Sequence, residues 1–183
     1  GRQPIRTVHY TDAARLRLFG FMRQEIKKGR QIYVVYPLIK ESETMDYKDL
    51  QDGYEAISRD FPLPEYVTTI CHGKMKPEDK EESMRQFKSG EANIMVATSV
   101  IEVGVDVPNA TVMVIESAER FGLSQLHQLR GRVGRGRHKS YCVLVSDNKG
   151  EENKQRLKVM SSTSDGFAIA EEDLKLRGPG DFF

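Results

Sequence analysis

The stretch Ser124-Gln-Leu-His-Gln-Leu-Arg-Gly-Arg-Val-Gly-Arg-Gly-Arg137 determines how the rest of this sequence is interpreted. Leu126, Leu129 and Val133 recur in it at i, i+3 and i+7. That spacing predicts a helix with one apolar stripe, because residues three and four apart share a helix face. Such a stripe would pack on a sheet and leave the opposite side of the helix free.

The other side of this predicted helix is polar. Gln128, Arg132 and Arg135 recur at i, i+4 and i+7, on a face about 130° from the apolar stripe. Gly131 and Gly134 lie among them, although a glycine inside a helix costs about 1 kcal/mol relative to alanine. A close backbone approach or a ligand would explain both glycines. Two arginines beside glycines suit a densely charged anion such as a triphosphate, and a solvated basic face is the alternative.

The overall composition limits the possible classes of protein. The chain has 183 residues, of which 38% are hydrophobic and 30% charged, which suits one α/β domain with a core. Its net charge of +1 predicts that any polyanion site is a local patch. Cys71 and Cys142 lie far apart, which favours a reducing compartment and argues against a zinc site. No apolar run approaches the length of about 18 residues that indicates a membrane span.

Strand and helix patterns alternate along most of the chain. The predicted strands are 32–39 (ended by Pro37), 66–71, 93–97, 111–115 and 140–145, and residues 1–9 are either a linker or a first short strand. The predicted helices are 11–28, 48–61 and 77–88, with a polar loop at 40–48 and an appended helical element after residue 150. This alternation predicts a parallel sheet with helices on both faces.

Polar residues follow several of the predicted strands. Ligands bind such sheets at the carboxyl ends of the strands, so we expect the candidate residues to cluster at one edge. Thr98-x₅-Gly104-x-Asp106 could bond phosphate oxygens through a hydroxyl and backbone N–H groups, with Asp106 accepting from sugar hydroxyls. A capping threonine, a turn glycine and a turn aspartate explain the same residues.

The order and spacing of these patterns resemble the superfamily-two helicases. Residues 98–108 resemble that superfamily's fifth motif, and Gln128-Leu-Arg-Gly-Arg-Val-Gly-Arg135 resembles the sixth. Tyr33-Val-Val-Tyr-Pro37 and Cys71-His-Gly73 stand where the fourth-motif region and a following turn lie. The resemblance covers essentially the whole chain and implies the second of two RecA-like motor domains.

Within that superfamily the sequence is similar to the bacterial RecG family of branch-migrating DNA helicases. The segment ERFGLSQLHQLRGRVGRG and the tail 165–183, with Arg177-Gly-Pro-Gly180, carry this resemblance. The transcription-repair coupling factors are the sister family, and their tail is expected to read RGAG instead. The resemblance divides the chain into 1–10, a linker from a first motor domain outside this sequence; 11–150, a RecA-like domain; and 151–183, the start of a helical translocation element.

The resemblance also assigns roles to individual residues. Arg132 and Arg135 would be arginine fingers that reach the γ-phosphate of ATP, with Gln128 beside it. Gly104 and Asp106 would contact the nucleotide's ribose side. The DNA backbone would be held by Thr98, Ser99, His72 and Gly73, and coupling would involve Asp173 and Arg177. Both fingers are expected to be exposed and short of acidic partners.

The implied protein is an ATP-dependent double-stranded DNA translocase that acts on branched DNA, as a monomer in the bacterial cytoplasm. Its ATP and Mg²⁺ would be held mainly by the first domain, since this sequence contains no G-x-x-x-x-G-K-[ST] loop. The chain alone is therefore expected not to hydrolyse ATP. A coupling factor domain and a non-enzymatic nucleic-acid binding module are the alternatives. A dinucleotide-binding domain fits less well, because no G-x-G-x-x-G follows the first strand.

Overall fold

Six parallel strands form one sheet in the computed structural model, which describes residues 4–98 and 106–177. The strands are β1 Ile5–Tyr10, β2 Gln31–Tyr36, β3 Thr68–Cys71, β4 Ile94–Thr98, β5 Ala110–Ile115 and β6 Ser140–Val145, in the spatial order β1-β6-β5-β2-β4-β3. The helices are α1 Arg15–Lys27, α2 Glu43–Asp60, α3 Pro77–Lys88, α4 Leu123–Arg130, α5 Glu151–Ser162 and α6 Gly166–Arg177.

Both faces of the sheet are buried. In β2, Ile32 and Val34 point to one face while Tyr33 and Val35 point to the other, and all four are buried. α1 and α2 cover the first face, and α3, α4 and α5 cover the second. A central parallel strand is apolar on both sides for this reason, which confirms the fold class predicted from the sequence.

α2 begins earlier than the sequence predicts. The predicted loop at 40–48 is instead a short 3-10 turn at Lys40–Ser42 followed directly by α2, which starts at Glu43 rather than Lys48. The reason lies partly in a tertiary contact, because Arg120, 74 residues after Asp46, donates to the Asp46 carboxylate and to the Ser42 hydroxyl. The carboxylate of Asp46 accepts hydrogen bonds from the Ile39 N–H at 2.8 Å and the Ser42 hydroxyl at 3.0 Å, which ties the turn to the helix.

α4 is shorter than predicted, because it ends at Arg130 and does not continue to Arg137. After Gly131 the backbone tightens, with N–H groups of Arg132 and Val133 donating to carbonyls three residues back. Gly134 has a φ of 81°, in the left-handed region that favours glycine. The glycines therefore carry no helix penalty, and the shared helix face predicted for Gln128, Arg132 and Arg135 is wrong.

The two ends of the described chain belong to the same core. Residues 5–10 lie in the stretch that the sequence left open as a linker or a first short strand, and they form a strand, β1, that pairs in parallel with β6. α5 and α6 bury Leu157, Met160 and Ile169 in the cluster that covers the second face. Among the described residues, no helix is long and apolar enough to cross a bilayer.

Candidate functional site

Residues 131–137, which we call the arginine segment, follow α4 and carry the two predicted fingers. Nη1 of Arg135 lies 3.6 Å from Oδ1 of Asp106, and the two side chains are 37% and 57% exposed. Nε of Arg135 also donates to the Gly131 carbonyl at 3.2 Å. Arg132 is partly exposed, and no carboxylate of the described residues lies within 4.0 Å of its guanidinium. The expectation of two exposed arginines short of acidic partners is therefore met only in part, since Arg132 is partly exposed and Arg135 lies beside Asp106.

Backbone packing fixes the position of the arginine segment. Val133 is fully buried and anchors it to the core. A Cβ at Gly136 would lie 2.8 Å from the carbonyl oxygen of Pro108, so only glycine allows this approach. Pro108 stands just before β5, and the Ala110 N–H donates to the Val107 carbonyl in the turn between them. The segment is therefore held against the loop that leads into β5.

Tyr33 shares this electrostatic environment. Burial and, to a smaller extent, the charge of Asp106 raise the pKa of Tyr33 to about 12 against the opposing charges of Arg132 and Arg135. The phenol, one carboxylate and two guanidinium groups thus lie close enough to influence one another. In the sequence, Tyr33 stands out only as part of a motif. Because it lies far along the chain from Asp106, the sequence does not indicate that the two side chains are close.

The candidate residues occupy two edges of the sheet, not one. The Asp106 loop and the arginine segment lie at the amino end of β5, beside Asn109, whose carbonyl accepts from the first N–H of β2. Thr98 ends β4 and His72 follows β3, at the carboxyl edge. Asp106 was expected at the carboxyl edge because it follows β4, but it immediately precedes β5. We call these two places the amino edge and the carboxyl edge.

At the carboxyl edge, His72 and Gly73 lie near the start of α2. The His72 ring packs edge-on against Tyr47 at 5.1 Å, and its Nδ1 accepts from the Lys74 N–H at 3.1 Å. Nζ of Lys74 lies 4.3 Å above the Tyr47 ring. Gly73 is exposed, whereas Thr98 is only 1% exposed. The His72 turn is therefore the accessible part of this group.

Two arginine–carboxylate pairs that sequence analysis missed also lie at the carboxyl edge. Arg15 makes two hydrogen bonds to the buried Glu116, at 2.7 and 2.8 Å, which raise the pKa of Arg15. Arg120 donates to Asp46 at 2.6 and 3.1 Å. Burial alone would raise the pKa of Asp46, but hydrogen bonds from Arg120, Ile39 and Ser42 lower it overall. No local pattern could reveal pairs formed by residues so far apart in sequence.

The arginines of the opening stretch have different environments. Arg130 is buried and donates to the carbonyls of Met160 at 2.5 Å and Thr163 at 2.9 Å. Burial lowers its pKa. Gln128, in contrast, is exposed on α4. Arg130 thus joins α4 to the connection between α5 and α6, and belongs to the scaffold of the site.

Asp173 of α6 lies at the beginning of α4. It is buried, and the Ser124 hydroxyl donates to it at 3.4 Å. A carboxylate is favourable there, because the first backbone N–H groups of a helix carry partial positive charge. The remaining predicted site residues, Ser99 and Gly104, and the side chain of Arg177 lie outside the described part of the structure.

Comparison with known proteins agrees with this arrangement. Residues 15–137 match the family described as the helicase conserved C-terminal domain, and the chain belongs to that family. The whole chain is 51% identical to the ATP-dependent DNA helicase RecG of Synechocystis and 49% identical to that of Bacillus subtilis. It spans only 22% and 27% of their lengths. These matches confirm the resemblance to RecG that the sequence suggested.

Solved structures give the same result. A structure of RecG bound to a three-way DNA junction matches with a TM-score of 0.81 and 44% identity, over 100% of this chain and 24% of that one. The yeast DEAD-box splicing factor Prp28 matches with a TM-score of 0.65 at 18% identity, over 94% of this chain and 37% of its own. The second likeness shows the fold alone, a RecA-like helicase domain.

Proposed function

We propose that this chain is the second RecA-like motor domain of an ATP-dependent double-stranded DNA translocase that acts on branched DNA. Fork reversal and Holliday junction branch migration, in DNA repair and recombination, are the proposed reactions. The observation that carries the proposal is the placement of Arg132 and Arg135 on an exposed, glycine-bounded segment. The likeness to RecG supports the choice of substrate.

In this proposal the arginine segment completes an ATP site whose other wall is the first motor domain. Arg132 and Arg135 stabilise the negative charge that develops on the γ-phosphoryl oxygens as the bond to the leaving group breaks. Arg135 is preorganised by its hydrogen bond to the Gly131 carbonyl, so little reorganisation is needed. Gln128, exposed on α4, would contact the phosphate or the surroundings of the attacking water.

Asp106 and Gly104 are proposed to face the ribose of ATP. The Asp106 carboxylate is 57% exposed and could accept a hydrogen bond from a sugar hydroxyl. The described residues contain no group of three or more His, Cys, Asp or Glu side chains that could hold a metal ion. The resemblance places Mg²⁺ mainly in the first domain.

DNA is proposed to bind at the carboxyl edge, away from the nucleotide. His72, Gly73, Thr98 and Ser99 would contact the backbone phosphates there. The His72 turn is accessible as it stands, whereas the Thr98 hydroxyl would become available only after its covering neighbours move. ATP and DNA would thus meet opposite edges of one rigid sheet, which lets an ATP-driven rotation of the domain displace the DNA.

Coupling is proposed to run through α6, with Asp173 and Arg177. Asp173 contacts the first turn of α4, and α4 leads directly into the arginine segment. Arg130 ties the other end of α4 to the connection before α6. A displacement of the arginine segment would therefore move α4 and α6 together. We also propose that the complete protein is a cytoplasmic bacterial monomer whose partner domain is the first RecA-like domain of the same chain.

A comparison of the isolated chain with the full-length protein tests this function. The purified chain should show no steady ATP hydrolysis, because it supplies only one wall of the site. The full-length protein should hydrolyse ATP, and a three-way or four-way junction should stimulate it more than single-stranded DNA. Steady turnover by the isolated chain would refute the proposal. Tight, salt-sensitive DNA binding by the chain alone would instead favour a non-enzymatic binding module.

A further inference from the structure

A basic groove lies at the carboxyl edge, beyond the residues discussed so far. It opens between the ends of β1 and β6 and the outer side of α5, with a volume of about 350 Å³. Its lining includes His9, Ser146, Lys149, Lys154, Lys158 and Ser161. Lys154, Lys158 and Ser161 recur at i, i+4 and i+7, so one side of α5 presents them together.

The charge of this groove is mostly unpaired. Lys149 and Lys158 are exposed, and no carboxylate of the described residues lies within 4.0 Å of either ammonium group. Lys154 lies 3.5 Å from Glu151, whose side chain is 92% exposed, so solvent weakens that pair. Asp147 also lines the groove, and its carboxylate accepts a hydrogen bond from the Asp12 N–H at 2.9 Å. Three lysines thus face one lining carboxylate, and the groove is suited to an anion.

The shape of the groove also suits a phosphate chain. It is an open trough with hydroxyl groups of Ser146 and Ser161 among its lining residues, and the lysine stems provide apolar walls. Lysine is a flexible point charge that binds phosphate without a fixed geometry. A ligand with repeated single negative charges fits three such lysines better than a compact, rigid anion does.

The position of the groove relates it to the proposed DNA contacts. β6 lies three strand spacings from β4, which ends at Thr98, and four from β3, which precedes His72, or about 14 and 19 Å. The major groove of B-DNA is about 12 Å wide between its two backbones. One backbone of a duplex at His72 and Thr98 would therefore leave the other within reach of the lysines on α5. A single strand would contact only His72 and Thr98 and would not reach the lysines on α5.

We propose that this basic groove binds the phosphate backbone of the second strand of duplex DNA. The inference rests on the proposed function and extends it, because it explains how a domain with single-strand contacts at β3 and β4 distinguishes duplex from single-stranded DNA. Lys154 and Lys158, on one side of α5, make the main contacts, Lys154 once it is released from its exposed partner Glu151, and Lys149 adds to them.

The test uses the full-length protein with Lys154→Gln and Lys158→Gln combined. Anisotropy of a labelled duplex, and of one of its strands alone, is measured over a range of KCl concentrations. Duplex affinity should fall about tenfold, and the slope of log K against log salt should become shallower by about 1.8 for two lost phosphate contacts. Affinity for the single strand should not change.

Two control variants isolate the effect of position. Lys27→Gln with Lys88→Gln makes the same charge change at exposed lysines near the ends of α1 and α3, and should leave duplex affinity unchanged. Lys154→Arg with Lys158→Arg keeps the charge and should retain wild-type affinity. Circular dichroism confirms that all variants are folded.

The remaining outcomes separate this inference from the function on which it rests. If the wild type hydrolyses ATP with duplex stimulation while the glutamine variant binds duplex normally, only the groove proposal fails. An equal loss of affinity for duplex and for single-stranded DNA also overturns the groove proposal. It would mean that the removed positive charge attracts any DNA and does not contact the second strand. A wild type with no DNA-dependent ATP hydrolysis would refute both proposals, and an acidic protein ligand would then be the candidate occupant.

Discussion

Two arginine–aspartate pairs on opposite edges of the sheet have the same chemistry and different geometry. At the carboxyl edge Arg120 lies 2.6 Å from Asp46, whose side chain is 1% exposed. At the amino edge Arg135 lies 3.6 Å from Asp106, whose side chain is 57% exposed. In the first, enclosed pair the carboxylate is buried and held by hydrogen bonds although 29% of the Arg120 side chain is exposed, whereas the second, open pair is exposed and loosely joined.

The difference shows which charges stabilise the fold and which remain available for a ligand. A buried ion pair is costly to break, because removing one partner leaves the other buried and uncompensated. An exposed pair contributes little to stability, so its members can exchange partners at little cost. Arg15 and Arg120 belong to the first class and Arg135 to the second, while Arg132, with no carboxylate of the described residues within 4.0 Å, is available as well.

The largest expected effect is on catalysis, at the open pair. Arg135→Ala in the full-length protein should lower kcat for ATP hydrolysis by about 10³–10⁵-fold, because an arginine finger acts in the transition state. The unfolding free energy should change by about 0.5 kcal/mol or less, as at most surface positions. Steady-state kinetics and urea titration measure the two quantities.

The matched control for this variant is Arg59→Ala, which removes an exposed arginine from α2 and should alter neither quantity. A higher KM for ATP with an unchanged kcat would contradict the finger assignment. It would mean that Arg135 binds the ground state and the transition state equally.

The next effect is on stability, at the enclosed pair. Asp46→Ala in this chain should lower the unfolding free energy by about 1–3 kcal/mol, because the Ile39 N–H and the Ser42 hydroxyl lose their buried acceptor, whereas Arg120 is 29% exposed and remains hydrated. Asp52→Ala, on the same helix, removes an aspartate whose side chain is 57% exposed and 3.1 Å from Lys48. That control should cost about 1 kcal/mol or less. Equal urea midpoints for the two variants would show that Asp46 is not structural.

The enclosed pair also predicts an acid sensitivity. The folded state holds the pKa of Asp46 below its ordinary value of about 3.9, so the pair stabilises the fold above that pH. This contribution is lost as the pH falls below about 3.9 and through the lower folded pKa. Melting temperatures between neutral and strongly acidic pH should therefore fall more steeply for the wild type than for Asp46→Asn. If the melting temperatures of the two proteins fall in parallel as the pH is lowered, Asp46 does not contribute to the acid sensitivity of the fold.

The sequence predicted the sheet well, because its signals are local. Each buried strand is a short β-branched run, and Pro77, Gly29 and Gly90 mark helix ends where the structure has them. Asp46 shows the limit of such signals. The start of α2 depends on its contact with Arg120, which is 74 residues away, and no helix periodicity encodes that contact.

The sequence indicated how the arginine segment packs, but not how the candidate site residues are arranged. Leu126, Leu129 and Val133 are buried as the apolar stripe requires, yet the helix stops before Val133. A close backbone approach or a ligand was expected at Gly131 and Gly134, but the tight approach to Pro108 occurs at Gly136, and Gly134 instead provides a positive φ. The separation of Asp106 from Thr98 was not predictable from motif spacing, since it depends on where the connecting segment returns to the sheet.

The smallest expected effect concerns Asp106, which has two possible partners at the amino edge. Asp106→Ala should change the unfolding free energy by no more than about 1 kcal/mol, because its pair with Arg135 is exposed. If its carboxylate accepts from the ribose, losing one hydrogen bond of about 0.5–1.5 kcal/mol raises KM for ATP several-fold and leaves kcat unchanged. The wild type should then discriminate against 2′-deoxy-ATP or 3′-deoxy-ATP, and the variant should not. If Asp106 only orients Arg135, kcat falls, KM is unchanged, and both enzymes discriminate equally between the sugars.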